Sequence, residues 1–142
     1  MRVIKYLIER NVLTEDQFLR AKDNKKKSDL SIFDCIFSEE GVDQANVLEL
    51  IAEYYQIQVM DLSNFTPNPD LVGLFPEKFI KANQVIPIEV SGQDTLTVVI
   101  SDPTDILLQD DVREIVDLNI TLFLASKIQI QKKIDEFYNK HE

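Results

Sequence analysis

Apolar residues in the first part of the chain recur in two sets of the same spacing. Sliding the sequence by 29 positions brings RVIKYLIERNVLTEDQFLRAKD over SIFDCIFSEEGVDQANVLELIA. Val3 then coincides with Ile32, Ile4 with Phe33, Leu7 with Ile36, Ile8 with Phe37, Leu13 with Val42 and Phe18 with Val47. Within each copy the spacing is i, i+1, i+4, i+5, which is one face of a helix. Each copy breaks and restarts at a capping residue. Thr14 with Gln17 reads as a capping box, the hydroxyl taking an early backbone N–H and Gln17 reaching back. Asp43 stands at the matching position of the second copy, where the helix dipole favours an acid. The pattern predicts helices over 2–10, 14–26, 30–39 and 43–55. Two copies are too few for a solenoid, so they are expected to pack on each other.

Beyond Tyr55 the period changes from helical to alternating. QIQVMDL, 56–62, reads as a short extended segment, and Asn64 to Asp70, with Pro67 and Pro69, as a boundary rich in turn residues. Short helices are predicted over 68–73 and 76–82. QVIPIEV and TLTVVIS flank Ser91–Asp94 as a hairpin. Pro87 cannot donate to a ladder, so its strand belongs at an edge or at a bulge. Asp102 and Pro103 stop the second strand. Ile106, Leu107, Val112, Ile115 and Val116 mark an amphipathic helix over 105–117. NITLFLA, 119–125, is a third strand, and Ser126 caps a last helix over 127–139. The expected fold is α+β. A four-helix repeat unit, 1–62, precedes a small α/β sandwich, 63–142, with a three-stranded sheet and helices on one face. The two parts are expected to have separate cores with a modest interface, the helical part being the less stable.

Charge is unevenly placed along a chain whose net charge is −10. Such a balance argues against nucleic acid as a general partner, since that requires neutralising phosphates. Residues 1–27 nevertheless hold eight Lys or Arg against four acids, whereas 28–62 hold eight acids and no base. One reading is a solvated basic face with a charged loop at Lys25–Lys27. The sharper one is a docking surface for an acidic partner. No apolar run approaches the roughly 20 residues of a membrane-spanning helix, and the N-terminal stretch lacks the apolar core of a signal peptide. With Cys35 as the one cysteine, a reducing, cytoplasmic setting is expected.

Candidate chemistry is sparse. Gly41, Gly73 and Gly92 are the three glycines, too scattered for a phosphate-cradling loop, in which backbone N–H groups must approach the ligand closely. Asp102, Asp105, Asp110 and Asp111 form the densest carboxylate group. A divalent cation would prefer such oxygens, but helical geometry turns Asp105 and Asp110 about 140° apart, and strand-ending and helix-starting roles account for them. His141 is the one histidine, so triads and zinc sites are not expected. Cys35 lies beside Ile36 on an apolar face and reads as buried and inert. Tyr54 and Tyr55 end the second repeat, either as packing residues or as partner anchors. No metal site and no catalytic residue are assigned.

Four stretches, in this order, carry a family likeness: IKYLIERNVLTEDQFLRA, LELIAEYYQIQVMDL, NQVIPIEV with DTLTVVISDPTD, and ASKIQIQKKIDEFY. Together they cover almost the whole chain. On them the chain resembles the N-terminal domain that precedes the motor ATPase of type II secretion and type IV pilus assembly systems. The resemblance implies a helical first part joined to an α/β second part, and a non-catalytic docking or regulatory role. The implied partner is the cytoplasmic domain of an inner-membrane platform protein. It also implies a cytoplasmic location, peripheral to the membrane through that partner and without direct insertion. The basic first repeat makes Arg2, Lys5, Arg10 and Arg20 the candidate partner-binding residues.

Some members of that family bind cyclic di-GMP through a motif present twice, which makes a nucleotide sensor the alternative. In the first copy Arg2 and the apolar positions Leu7, Ile8, Val12 and Leu13 match that motif. Ile4 and Asn11 replace its glycines, and Lys25 its glutamine. In the second copy Ser31 replaces the arginine, Phe33 and Glu40 the glycines, and Tyr54 the glutamine. A side chain in place of glycine blocks close backbone approach, and the lost arginine removes a phosphate or guanine partner. No cofactor is therefore expected, with cyclic di-GMP kept as the alternative ligand.

Overall fold

Thr14 and Ser31 fix where two of the helices begin. Each hydroxyl accepts the backbone N–H three residues on, from Gln17 at 3.0 Å and from Asp34 at 3.1 Å, and the side chains of Gln17 and Asp34 accept the N–H of the cap residue in return. The box at Ser31 starts its helix two residues later than the hydrophobic pattern alone places it. The computed structural model describes residues 2–141, with all their side chains except those of Ile106, Lys140 and His141. The expectations for Ile106 and His141 thus lie outside the described side chains.

The chain divides into two compact units, Met1–Gln56 and Ile57–Glu142. The first consists of α1 (Arg2–Glu9), α2 (Glu15–Lys26), α3 (Ile32–Phe37) and α4 (Gln44–Tyr55). In it α1 packs against α4, and α2 against α3. The periodic positions supply the interior: Val3, Ile4, Leu7, Leu13, Phe33, Ile36, Val47 and Ile51 are each at most 3% exposed. Cys35, also 3% exposed, lies among them as a small apolar side chain.

The second unit runs β1 (Gln58–Val59), α5 (Pro69–Val72), α6 (Glu77–Asn83), β2 (Val85–Ser91), β3 (Thr95–Ile100), α7 (Ile106–Val116), β4 (Asn119–Leu124) and α8 (Lys127–His141). The expected hairpin is β2–β3, turning through Gly92 at φ +63°, and the interval Thr95–Ile100 lies parallel to Asn119–Leu124 across the crossover helix α7. Pro87 is placed as its missing N–H requires, on an edge strand where the register shifts between Pro87 and Glu89.

Three expectations are corrected. The sheet has four strands in the order β1-β4-β3-β2, not three. Gln58 and Val59 pair in parallel with Phe123 and Leu124, and Met60 N–H donates to Leu124 C=O at 2.8 Å. Because that ladder ties the extended segment to the sheet, residues 57–62 belong with the α/β unit, and the boundary falls after Gln56 rather than after Leu62. Finally, coverage of a single face does not describe the central strand. Successive residues Leu96, Thr97, Val98, Val99 and Ile100 are all buried, and side chains alternate across a strand, so both faces of β3 are covered.

Candidate docking surface on the helical unit

With Val3, Ile4 and Leu7 turned inward, α1 presents Arg2, Lys5 and Glu9 outward at i, i+3 and i+7. Arg10 follows the helix and lays its guanidinium over the Tyr6 ring, 4.7 Å from the centroid. Tyr6 continues into a tilted pair with Tyr54 at 5.5 Å, and Tyr54 into an edge contact with Tyr55 at 5.0 Å. Partial burial pushes the Tyr6 phenol up. The Arg10 charge pulls it the other way, and the Glu53 carboxylate, which also takes the phenol's hydrogen bond, pushes it up further. Arg20 has a different job. Its Nε donates to Glu39 Oε1 at 2.8 Å, and Glu39 is nearly buried at 10% side-chain exposure. Asn24 reaches the same carboxylate, and Gln17 Nε2 donates to Glu40 C=O at 3.1 Å. Arg20 therefore ties the first repeat to the second.

The four candidates thus separate. Arg2 and Lys5 are exposed and make no ion pair or hydrogen bond among the described residues. Arg10 is exposed but stacked, and Arg20 is engaged. The apolar motif positions divide too. Leu7 and Leu13 are 0% and 2% exposed and belong to the interior, whereas Ile8 and Val12 are half-buried.

Residues missed in the sequence lie on α2. Lys25 and Lys26 form its last turn and Lys27 its C-cap, so the three are not a loop. Lys27 pairs with Asp23 at 3.4 Å. Lys22, Lys25 and Lys26 are exposed and have no ion-pair partner among the described residues, and Leu19 beside them is 59% exposed. Of the twelve residues of α2, Ala21 is the one buried. A helix polar nearly all round is the signal that could have flagged it.

The turns between paired helices bear on the nucleotide alternative. Asn11 adopts φ +62°, the left-handed conformation that glycine would take there and that asparagine tolerates better than most residues. In the second repeat the left-handed residue is Gly41, at φ +85°, one position after Glu40. A Cβ on Gly41 would lie 3.2 Å from Gln17 Nε2, a tight contact that the side-chain end could relieve by a small shift, so it is the left-handed conformation that calls for glycine. The glycine is thus displaced by one residue rather than absent. Arginine is still missing from the second copy, where Ser31 is the helix cap.

In the second unit the aspartates serve locally. Asp102 accepts from Thr104 N–H, Asp105 caps α7 by accepting from Leu108 N–H at 3.1 Å, and Asp110 pairs with Arg113 at 3.7 Å. An apolar slot between Val72, Ile80, Ile86, Pro87, Ile134 and Tyr138 encloses about 10 Å³, room for one water and far below the size of a small-molecule site. Among the described residues no helix is long and apolar enough to cross a membrane.

Comparison with known proteins gives a consistent picture. The family model of the MshEN domain matches residues 55–142, more than half of the chain. A curated relative is a type IV pilus assembly ATPase, PilB, of Myxococcus xanthus (strain DK1622). It is 23% identical over 137 residues, covering 96% of this chain and 24% of that protein. The chain thus spans about a quarter of the curated relative's length. Among solved structures, that of MshE with cdg (cyclic di-GMP) is 26% identical, with a TM-score of 0.77, covering 97% of this chain and 99% of that one. The N-terminal domain of XpsE shares the fold at 23% identity and a TM-score of 0.76, over 94% of this chain and 92% of that one.

Proposed function

This chain belongs to the MshEN domain family, and we propose that it is a non-catalytic docking and regulatory domain of a pilus-assembly or secretion ATPase. What carries the reading is the likeness along 96% of the chain to a quarter of a pilus assembly ATPase. Its partner is the cytoplasmic domain of an inner-membrane platform protein, and the chain works in the cytoplasm, held at the membrane by that partner. Arg2 and Lys5 carry the contact, because they are the candidate cations whose charge no neighbour takes up. Arg10 contributes its guanidinium face, pre-positioned by Tyr6. Arg20, engaged by Glu39, holds the first repeat to the second and is left out of the contact.

A pull-down with the purified cytoplasmic domain of the platform protein tests this. Binding is expected for the unaltered chain, with a loss of about tenfold or more for Arg2→Glu with Lys5→Glu, since like charges across an interface are strongly disfavoured. Equal retention of the double variant, or no retention of the folded chain, overturns the assignment.

A second reading is favoured by one neighbour: the structure of MshE with cdg is similar over 97% of this chain. Here the chain would sense cyclic di-GMP through Arg2 with the partly exposed Ile8 and Val12. Leu7 and Leu13 would support them from the interior. A ligand that binds only the folded state raises its stability by RT ln(1 + [L]/Kd). A melting point that rises with cyclic di-GMP and stays put in Arg2→Ala establishes this reading. No rise with excess ligand removes it, which is the outcome expected with the second arginine missing.

A further inference from the structure

The outer face of α2 has a chemistry that neither the repeat core nor the α1 surface uses. Arg20, Gln17 and Asn24 turn toward Glu39 and Glu40, and Ala21 is buried, so these residues mark the inner side of the helix. At 100° per residue, Leu19, Lys22 and Lys26 fall within about 60° of one another on the opposite side. They make an i, i+3, i+7 stripe, the spacing at which one helix meets another. Leu19 is 59% exposed and the lysines have no ion-pair partner. Two acids adjoin the lysines' side of the helix: Asp23 is taken by Lys27, and Glu15 continues the stripe at the helix N-terminus, on the far side of Leu19 from both lysines. Lys25 adds a further unpaired cation at the helix C-terminus.

We propose that this stripe docks an acidic amphipathic helix of a partner protein, a leucine-sized side chain meeting Leu19 and carboxylates meeting Lys22 and Lys26. An exposed leucine alone means little, but one leucine followed by two unpaired cations at helix–helix spacing defines both the apolar contact and the charge of the occupant. A planar anionic membrane fits less well. Asp16 and Asp23 are exposed along one side of the stripe, and a wide negative surface would meet those as well as the narrow stripe. A single helix contacts the stripe alone. This surface is separate from Arg2 and Lys5, so it does not rest on the platform-protein reading.

The test uses the full chain and a labelled synthetic helical peptide with one central leucine flanked by glutamates, read by fluorescence anisotropy. A peptide with lysines for the glutamates and vesicles of phosphatidylglycerol with phosphatidylcholine run alongside. The acidic peptide is expected to bind, to weaken with salt, and to lose about tenfold or more with Lys22→Glu and Lys26→Glu together. Lys22→Arg with Lys26→Arg is expected to retain binding, and Leu19→Ala to weaken it without changing the salt dependence. Circular dichroism confirms that each variant is folded. Equal binding of the lysine peptide overturns the proposal. So does vesicle binding that the same charge reversal abolishes while the acidic peptide fails to bind. Because the peptide contains no platform-protein sequence, failure of the pull-down leaves this result standing, and the converse also holds.

Discussion

Leu96→Ala is expected to destabilise the α/β unit by about 2–5 kcal/mol, the range for truncating a fully buried leucine where the surroundings relax only in part. Leu96 is 0% exposed on β3, between β2 and β4 in the sheet, where its neighbours Val98 and Ile100 are also sealed. The space it leaves cannot be filled from either adjacent strand, because both are held in register with β3. For a unit of this size each kcal/mol moves the melting temperature by roughly 4–8 °C. Thermal denaturation followed by circular dichroism should therefore show a drop on the order of 10 °C or more. A drop of only a degree or two would mean that β3 is not the centre of the unit.

Gln129→Ala is expected to cost about 1–3 kcal/mol, through a buried donor left without an acceptor rather than through lost packing. Gln129 sits in the first turn of α8, where Ser126 Oγ accepts its N–H at 3.1 Å. Its Oε1 accepts the N–H of Leu62, a residue 0% exposed, at 3.0 Å, and its Nε2 donates to Asp61 Oδ1 at 2.9 Å. This side chain thus holds the segment after β1 against α8. Hydrogen bonds from Ser63 and then from Gln129 hold the Asp61 carboxyl below its ordinary value. A lowered folded pKa means stability that is fully present above the unfolded value and is lost as pH falls through the folded one. Gln129→Glu separates the two bonds. It keeps an acceptor for Leu62 but sets a second carboxylate against Asp61, so its deficit should shrink on acidification. Urea denaturation at neutral and acid pH reads both effects. A pH-independent deficit in Gln129→Glu would contradict the role given to Asp61.

Local rules made most elements legible from sequence. Period 3.6 in RVIKYLIER and SIFDCIF gave the helices, and the interior of the first unit is made from the positions that the repeat aligned. Pro87 announced its edge strand because a missing N–H is a property of one residue. What stayed hidden was non-local. QIQVMDL looked extended, but only its pairing with Phe123 and Leu124 makes it a strand of the sheet, and parallel partners have no short connection to betray them. Coverage of both faces of β3 was in principle readable from TLTVVI, a nearly continuous β-branched run of the kind that buried strands carry.

The site was legible as charge and not as availability. The basic residues of the first repeat are plain in sequence, but the removal of Arg20 from the free surface depends on Glu39, nineteen positions away. The exposure of Lys22 and Lys26 likewise depends on which side of α2 turns inward. The one-residue displacement from Glu40 to Gly41 was invisible to an alignment that assumed equal turns in both repeats. Two helix ends can need the left-handed conformation at different distances from the next cap, as Asn11 before Thr14 and Gly41 before Asp43 show.

The most direct test of the docking role is calorimetric titration of the full chain, in one buffer, with two ligands: the cytoplasmic domain of the platform protein, and cyclic di-GMP. The docking role predicts saturable heat with the protein domain, abolished by Arg2→Glu with Lys5→Glu, and no heat with the nucleotide. Saturable heat with cyclic di-GMP and none with the platform domain would contradict it.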